Sequence, residues 1–190
     1  VKVYDQSNPT VFITGSNRGI GLALVRNYAI KGWNIIATCR SPERANDLNK
    51  LLGDYPNILI EQLDVTDLDE IESLARKYEG VAIDVLINNA GILGDVEAQT
   101  FGSLSQSTFE KVMAVNAYGP LKVAEAFSDN VALSKQKKIV SMTSGLGSMQ
   151  ITGNTDRFYF YRMSKAALNM GVIAMNVSLK SQGVMSALIA

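Results

Sequence analysis

The turn Thr14-Gly15-Ser16-Asn17-Arg18-Gly19-Ile20-Gly21 constrains this chain more than any other stretch. It lies between an apolar run, Val11-Phe12-Ile13, and a helical pattern that begins at Ile20. A strand that feeds a glycine turn and then a helix lets backbone approach a pyrophosphate, with the helix's first N–H groups and positive dipole end facing it. The spacing G-x-x-x-G-x-G is a variant of the dinucleotide fingerprint G-x-G-x-x-G. Gly15, Asn17, Arg18, Gly19, Ile20 and Gly21 are thus candidate cofactor-binding residues. Ordinary tight turns share such patterns, so residues further along the chain must decide.

Short apolar runs alternate with helical patterns through the rest of the sequence. Val11–Ile13, Ile35–Thr38, Ile58–Leu63, Val85–Ile87, Ile139–Met142 and Val184–Ile189 lack polar alternation, as strands buried on both faces of a parallel sheet do. Between them, Gly32 reads as the residue that ends the first helix. Ser41-Pro42 reads as a helix N-cap, and Thr66 with Asp69 as an approximate capping box. Thr108 to Leu133 reads as a helical stretch, and Gly145 to Phe158 as a loop. Strand–helix repetition of this kind predicts an α/β fold with a doubly wound parallel sheet of the Rossmann type. The 190 residues suit a single domain spanning 1–190.

Composition removes several functions. There is no histidine, so Ser-His-Asp triads, Cys-His dyads and His-ligated zinc sites are excluded, and no metal site is expected. Proton chemistry must use Tyr, Lys, Asp, Glu or Ser. Net charge is zero, and the basic cluster Lys135-Gln136-Lys137-Lys138 reads as a solvated loop, so no nucleic-acid partner is expected. The one cysteine, Cys39, points to a reducing compartment. Val1 to Pro9 does not resemble a signal peptide, and no apolar run reaches the ~20 residues needed to span a bilayer. The expectation is a cytoplasmic protein without a membrane partner.

The end of the second strand distinguishes two dinucleotides. An NAD site carries an acid there, about 20 residues after the glycine turn, for the ribose 2′-OH. The segment Ile35-Ile36-Ala37-Thr38-Cys39-Arg40 has Arg40 instead. Arg40 and Arg18 could clamp a 2′-phosphate, which predicts NADP(H); the alternative is a pair of surface arginines. Asp64, before Val65, is either an acceptor for the adenine amino group or an acid preceding the next helix. Asn88-Asn89-Ala90-Gly91 follows the fourth strand, where small residues let backbone meet a ligand and asparagine amides can tie strands together.

Tyr161 and Lys165 stand at i and i+4, on one helix face. A phenol near an ammonium favours phenolate and suits proton exchange with a substrate oxygen. Y-x-x-x-K is common on helices and gains meaning from the nucleotide turn in a histidine-free chain. Ser144 is a candidate donor to the same substrate oxygen. Asn116 either uses its amide, holding a water near Lys165, or is an exposed polar position.

These residues occur in the order found in the short-chain dehydrogenases/reductases, which the chain resembles over almost its whole length. The resemblance rests on T-G-x-x-x-G-x-G at Thr14–Gly21, N-N-A-G at Asn88–Gly91, Asn116, Ser144 and Y-x-x-x-K at Tyr161–Lys165. Finer matches resemble the carbonyl-reductase branch, sniffer-like or C-factor-like. The resemblance implies NADPH-dependent reduction of a small ketone or aldehyde. In it Tyr161 is the general acid and also a cofactor-binding residue, Lys165 tunes it and binds the nicotinamide ribose, Ser144 orients substrate, and Asn116 supports a proton relay. Asn89, Ala90 and Gly91 would line the cofactor, Asp64 would touch adenine, and Val65 beside it would be a cofactor-binding residue too. A homodimer or homotetramer through the helices of Asn116 and Tyr161 is implied, and Ala166 to Leu179 reads as buried on two sides. The other expectation is a dinucleotide-binding signalling or sensor protein with little turnover. Two departures stand out. Ser144 and Tyr161 are 17 residues apart, longer than usual. The sequence ends at Ala190, so the family's final strand and substrate loop are expected to be missing.

Overall fold

Runs of β-branched and large aliphatic residues build six parallel strands in the computed structural model, which describes residues 7–150 and 156–190. They are β1 (Thr10–Ile13), β2 (Asn34–Cys39), β3 (Ile58–Gln62), β4 (Val85–Asn88), β5 (Lys138–Met142) and β6 (Met185–Ile189). The strand order is β3-β2-β1-β4-β5-β6. The helices are α1 (Gly19–Ile30), α2 (Asn46–Asp54), α3 (Leu68–Lys77), α4 (Gln106–Met113), α5 (Gly119–Ala126), α6 (Ser128–Ala132) and α7 (Tyr159–Ser178). The expected α/β doubly wound sheet is present, with each strand run recovered to within a residue or two.

Successive strand residues point to opposite faces, and the sheet therefore has two apolar layers. Val11, Ile13, Ile35 and Ala37 pack with Leu22, Val25 and Ala29 of α1 and Leu48 and Leu51 of α2. Phe12, Ile36, Leu86 and Ile139 pack with Ile71 of α3, Val123 of α5 and Val131 of α6, and Met175 of α7 adds to this layer. The inner strands β1, β2 and β4 are buried throughout. The outermost strands β3 and β6 are only partly buried, because helices do not fully cover a sheet's margins. No helix among the described residues is long and apolar enough to cross a membrane.

Several local expectations need correction. Gly32 does end α1, with φ +75° after Lys31. Ser41, however, caps no α-helix: Pro42–Arg44 forms a 3-10 turn without a side-chain cap bond, and α2 begins at Asn46. Asp67, not Thr66, caps α3 by accepting from Glu70 N, while Thr66 Oγ1 donates to Asp64. The stretch from Thr108 to Leu133 is interrupted by a π-helical turn at Ala114–Tyr118 and a break at Phe127. Lys138, read as loop, opens β5, where its side chain stays exposed. Within the loop from Gly145, Gly145–Gly147 forms a 3-10 turn, and 151–155 lie outside the described residues, as do residues 1–6. Within this one chain α7 packs by one side, and Met170, Ile173 and Val177 are exposed on the other, which leaves the expected second burial to a partner copy.

Strand order determines where a ligand fits. From β1 the chain winds outward through β2 and β3, then returns to β4 and winds the other way. The carboxyl ends of β1 and β4 therefore diverge into a crevice.

Candidate functional site

The loop after β1 is shaped for backbone approach. Gly15 has φ +67°, and a side-chain carbon on Gly21 would lie 2.2 Å from Gly15 O and 2.6 Å from Asn89 Nδ2. Only hydrogen fits there. Ser16 anchors the turn through Oγ to Ile13 O at 2.8 Å and through its N–H to Thr38 O at 2.9 Å. Helix α1 then starts with Arg18 as N-cap, with no side-chain cap bond and no acidic residue in its first turn. Its leading N–H groups and dipole thus suit an anion.

The paired asparagines answer a question the sequence left open. Asn89 Nδ2 donates to Thr14 O at 2.9 Å and Gly15 O at 3.0 Å. Thr14 Oγ1 accepts from the N–H groups of Asn89 and Ala90, both at 3.0 Å. Asn88 Nδ2 donates to Pro120 O at 3.1 Å, tying β4 to α5. Asn89 locks the crevice walls together while Asn88 secures β4 to α5, so the pair is no simple turn.

A cavity of about 710 Å³ opens over these loops. Of the expected cofactor-binding residues, Gly15, Asn17, Arg18, Gly19, Ile20, Arg40, Asp64, Val65, Asn89, Ala90 and Gly91 line it. Gly21 lies beneath the turn, and Tyr161 and Lys165 are not among the lining residues. Arg44, Lys111, Ile92 and Val115 line the cavity and were not anticipated. Arg44 had a faint signal, standing one turn beyond Arg40. Lys111 had none, since it comes from α4. Four cationic side chains, Arg18, Arg40, Arg44 and Lys111, face one acid, Asp64. Asp64 Oδ1 accepts from Thr66 N at 2.9 Å and Thr66 Oγ1 at 2.7 Å, so it does serve the start of α3 while bordering the cavity.

Two of the candidate catalytic residues, Lys165 and Asn116, reach this cleft at Gly91. Lys165 Nζ lies 5.7 Å from the centre of the Tyr161 ring, as the i, i+4 spacing requires. Lys165 is 5% exposed, and its Nζ donates to Met142 O at the end of β5 at 2.8 Å. A side-chain carbon on Gly91, which lines the cleft, would lie 3.4 Å from Asn116 Oδ1 and 3.8 Å from Lys165 Nζ. Asn116 is fully buried in the π-helical turn, so the exposed reading of it fails. Its Nδ2 donates to Ile92 O at 2.8 Å and Ser164 Oγ at 3.0 Å, and its Oδ1 accepts from Ile92 N at 2.8 Å. Only an Oδ1 lone pair remains for a relay water. Ser144 heads the 3-10 turn, where its Oγ accepts from Leu146 N at 3.2 Å. That turn is pinned to α7: Thr143 Oγ1 donates to Asn169 Oδ1 at 2.5 Å, and Gly147 packs against Lys165.

Burial pushes the Lys165 ammonium below its ordinary value of 10.5. The unfolded chain therefore binds more protons between the lowered value and the ordinary one, and stability rises with pH across that window. Lys165→Met lacks this slope. Denaturant titrations from neutral to alkaline pH should show the parent gaining stability relative to Lys165→Met, with the gain ending above the ordinary lysine value. Parallel curves would contradict a buried, titrating amine.

Known proteins share this chain's fold. Residues 9–190 match the family model described as short chain dehydrogenase. A short-chain dehydrogenase of Penicillium roqueforti, anuI, is 32% identical over 200 residues, covering 97% of this chain and 78% of its own length. Among solved structures, the NADPH-bound carbonyl reductase from chicken fatty liver superposes with a TM-score of 0.84 at 31% identity, over 95% of this chain and 78% of that one. The carbonyl reductase Sniffer of D. melanogaster superposes with a TM-score of 0.84 at 29% identity, over 94% and 79%. This chain therefore belongs to the short-chain dehydrogenase family.

Proposed function

We propose that this chain is an NADPH-dependent carbonyl reductase acting on small ketones or aldehydes, built as one catalytic domain. The observation that carries this reading is the approach of Lys165 and Asn116 to Gly91, which brings the Tyr161 helix to a basic, glycine-floored cleft. The relatives in the carbonyl-reductase branch, one of them described with NADPH bound, support the same cofactor and chemistry.

The residues present fit a dinucleotide phosphate. The floor made by Gly15 and Gly21 admits backbone-close phosphates, the start of α1 offers N–H groups, and Arg18, Arg40 and Arg44 suit a 2′-phosphate. When bound, NADPH supplies the hydride. Tyr161 donates the proton to the substrate oxygen. Lys165, buried beside it, would hold the nicotinamide ribose. Ser144 orients the carbonyl, and Asn116 holds the loop at Ile92 and supports the proton relay. The exposed stripe Met170, Ile173 and Val177 on α7 supports a homodimer or homotetramer, and the single buried Cys39 fits a reducing cytoplasm.

The test is NADPH oxidation by the purified protein against a panel of carbonyl compounds, with NADH in parallel. Turnover with preference for NADPH is expected. Arg40→Ala should weaken NADPH binding about 10–100-fold, the worth of a charge-assisted hydrogen bond, and leave NADH binding unchanged. Cofactor binding without turnover on any carbonyl would favour the sensor reading instead.

A further inference from the structure

Tyr161 stands in the first turn of α7, a helix whose own N-cap residue supplies no side-chain cap bond. The N-cap is Phe158, held in the left-handed region at φ +62°, with no side-chain hydrogen bond. An N-cap side chain ordinarily offers an oxygen to the second or third N–H of its helix, and a phenyl ring has none to offer. The third N–H here is that of Tyr161. It donates to Gln99 Oε1 at 3.0 Å, from a residue 62 positions earlier in the chain.

Gln99 is fully buried, at the end of the short turn Glu97–Gln99 between β4 and α4. Its Nε2 donates to Leu93 O at 2.8 Å and to Asp95 O at 3.1 Å, using both amide hydrogens. The carbonyl of Tyr161 is held from the other side: Ser164 Oγ donates to it at 2.7 Å while accepting from Asn116 Nδ2. Both backbone groups of Tyr161 are therefore occupied. Gln99 ties the N–H to the loop at Leu93 and Asp95, and the Ser164–Asn116 link ties the carbonyl to the same loop at Ile92. Ile92 lines the dinucleotide cleft, whereas Gln99 does not.

We propose that Gln99 is a positioning residue that caps α7 from outside the helix and thereby sets the Tyr161 hydroxyl against Lys165 and the cleft. The proposal rests on the reading of Tyr161 as proton donor. Gln99 does not line the cleft, and Asn116 pins the cleft side of the loop at Ile92 through both backbone groups without it, so its loss moves the hydroxyl and leaves the cofactor's own contacts in place. A purely structural glutamine would lower stability, cofactor affinity and turnover together.

The experiment compares Gln99→Met, which keeps side-chain length and loses the three hydrogen bonds, with Tyr161→Phe and the double variant. In Gln99→Met, kcat is expected to fall about 10–100-fold, the effect of misplacing a reacting group by about an ångström, with NADPH affinity unchanged. In the Tyr161→Phe background the same change should leave the residual rate unaltered, because there is no hydroxyl to misplace. Unchanged kcat in Gln99→Met, a parallel loss of NADPH affinity, or a further drop in the double variant would overturn the proposal. Should Gln99→Met fail to fold, Gln99→Asn decides by the same criteria: its amide survives but is too short to bridge the loop and α7. If Tyr161→Phe retains parental turnover, the catalytic reading falls and the proposal falls with it. If Tyr161→Phe is impaired while the Gln99 variants turn over normally, only the role of Gln99 is lost.

Discussion

Tyr161→Phe is expected to lower kcat by about 10²–10⁴-fold, the range for losing one general acid, with NADPH affinity unchanged. The substitution is unusually clean in this chain. The hydrogen bonds that fix Tyr161 run through its backbone, from its N–H to Gln99 and to its carbonyl from Ser164. Phenylalanine keeps both. It also keeps a ring 5.7 Å from Lys165 Nζ, so the amine's surroundings change little. What is removed is one hydroxyl. Steady-state turnover together with an independent NADPH titration separates its contribution from any loss of binding. Parental turnover in Tyr161→Phe would refute the proton-donor role.

The second large effect is expected at Gly21. Alanine there would place a carbon 2.2 Å from Gly15 O, far inside contact distance. Neither neighbour can yield cheaply. Gly15 O accepts from Asn89 Nδ2, and that same amide nitrogen would be only 2.6 Å from the new carbon. Either α1 moves away from the turn, or the turn leaves β4. The structural cost should be about 1–3 kcal/mol, as for other overpacked sites. NADPH binding should fall with it, because the displaced groups are those that would meet the phosphates. Gly53→Ala is the matched control. That glycine lies in α2, has no heavy atom within 4 Å of an added carbon, and should gain up to about 1 kcal/mol from helix propensity. Thermal unfolding and NADPH titration of the two variants read out the contrast. Equal behaviour would mean that the glycine spacing of the turn has no steric basis.

These two positions mark different kinds of legibility. Gly21 was visible in sequence because a turn between strand and helix depends on residues within eight positions of one another. The Tyr161–Lys165 pair was visible because helical periodicity alone places i and i+4 on one face. Strands β1, β2 and β4 were visible because full burial on two faces leaves an unbroken apolar run. Errors arose where a side chain had two local options. Asp67 won the cap of α3 because Thr66 turned to Asp64 instead. Ser41 lost its capping role because Pro42 opened a 3-10 turn and α2 began later.

The sequence by itself determined the α/β winding, the glycine-floored phosphate turn and the shared face of Tyr161 and Lys165, since each follows from backbone sterics and periodicity over a few residues. Tertiary structure alone decided which distant side chains complete the site. It brought Arg44 and Lys111 to one cleft, buried Asn116 in a π-helical turn against Ile92, and set Gln99 over the first turn of α7. Apart from Arg44, four positions from Arg40, those contacts join segments tens of residues apart, and no local pattern records them. They exist because burial requires each polar group to find a partner, and only the packed chain determines which partner is within reach.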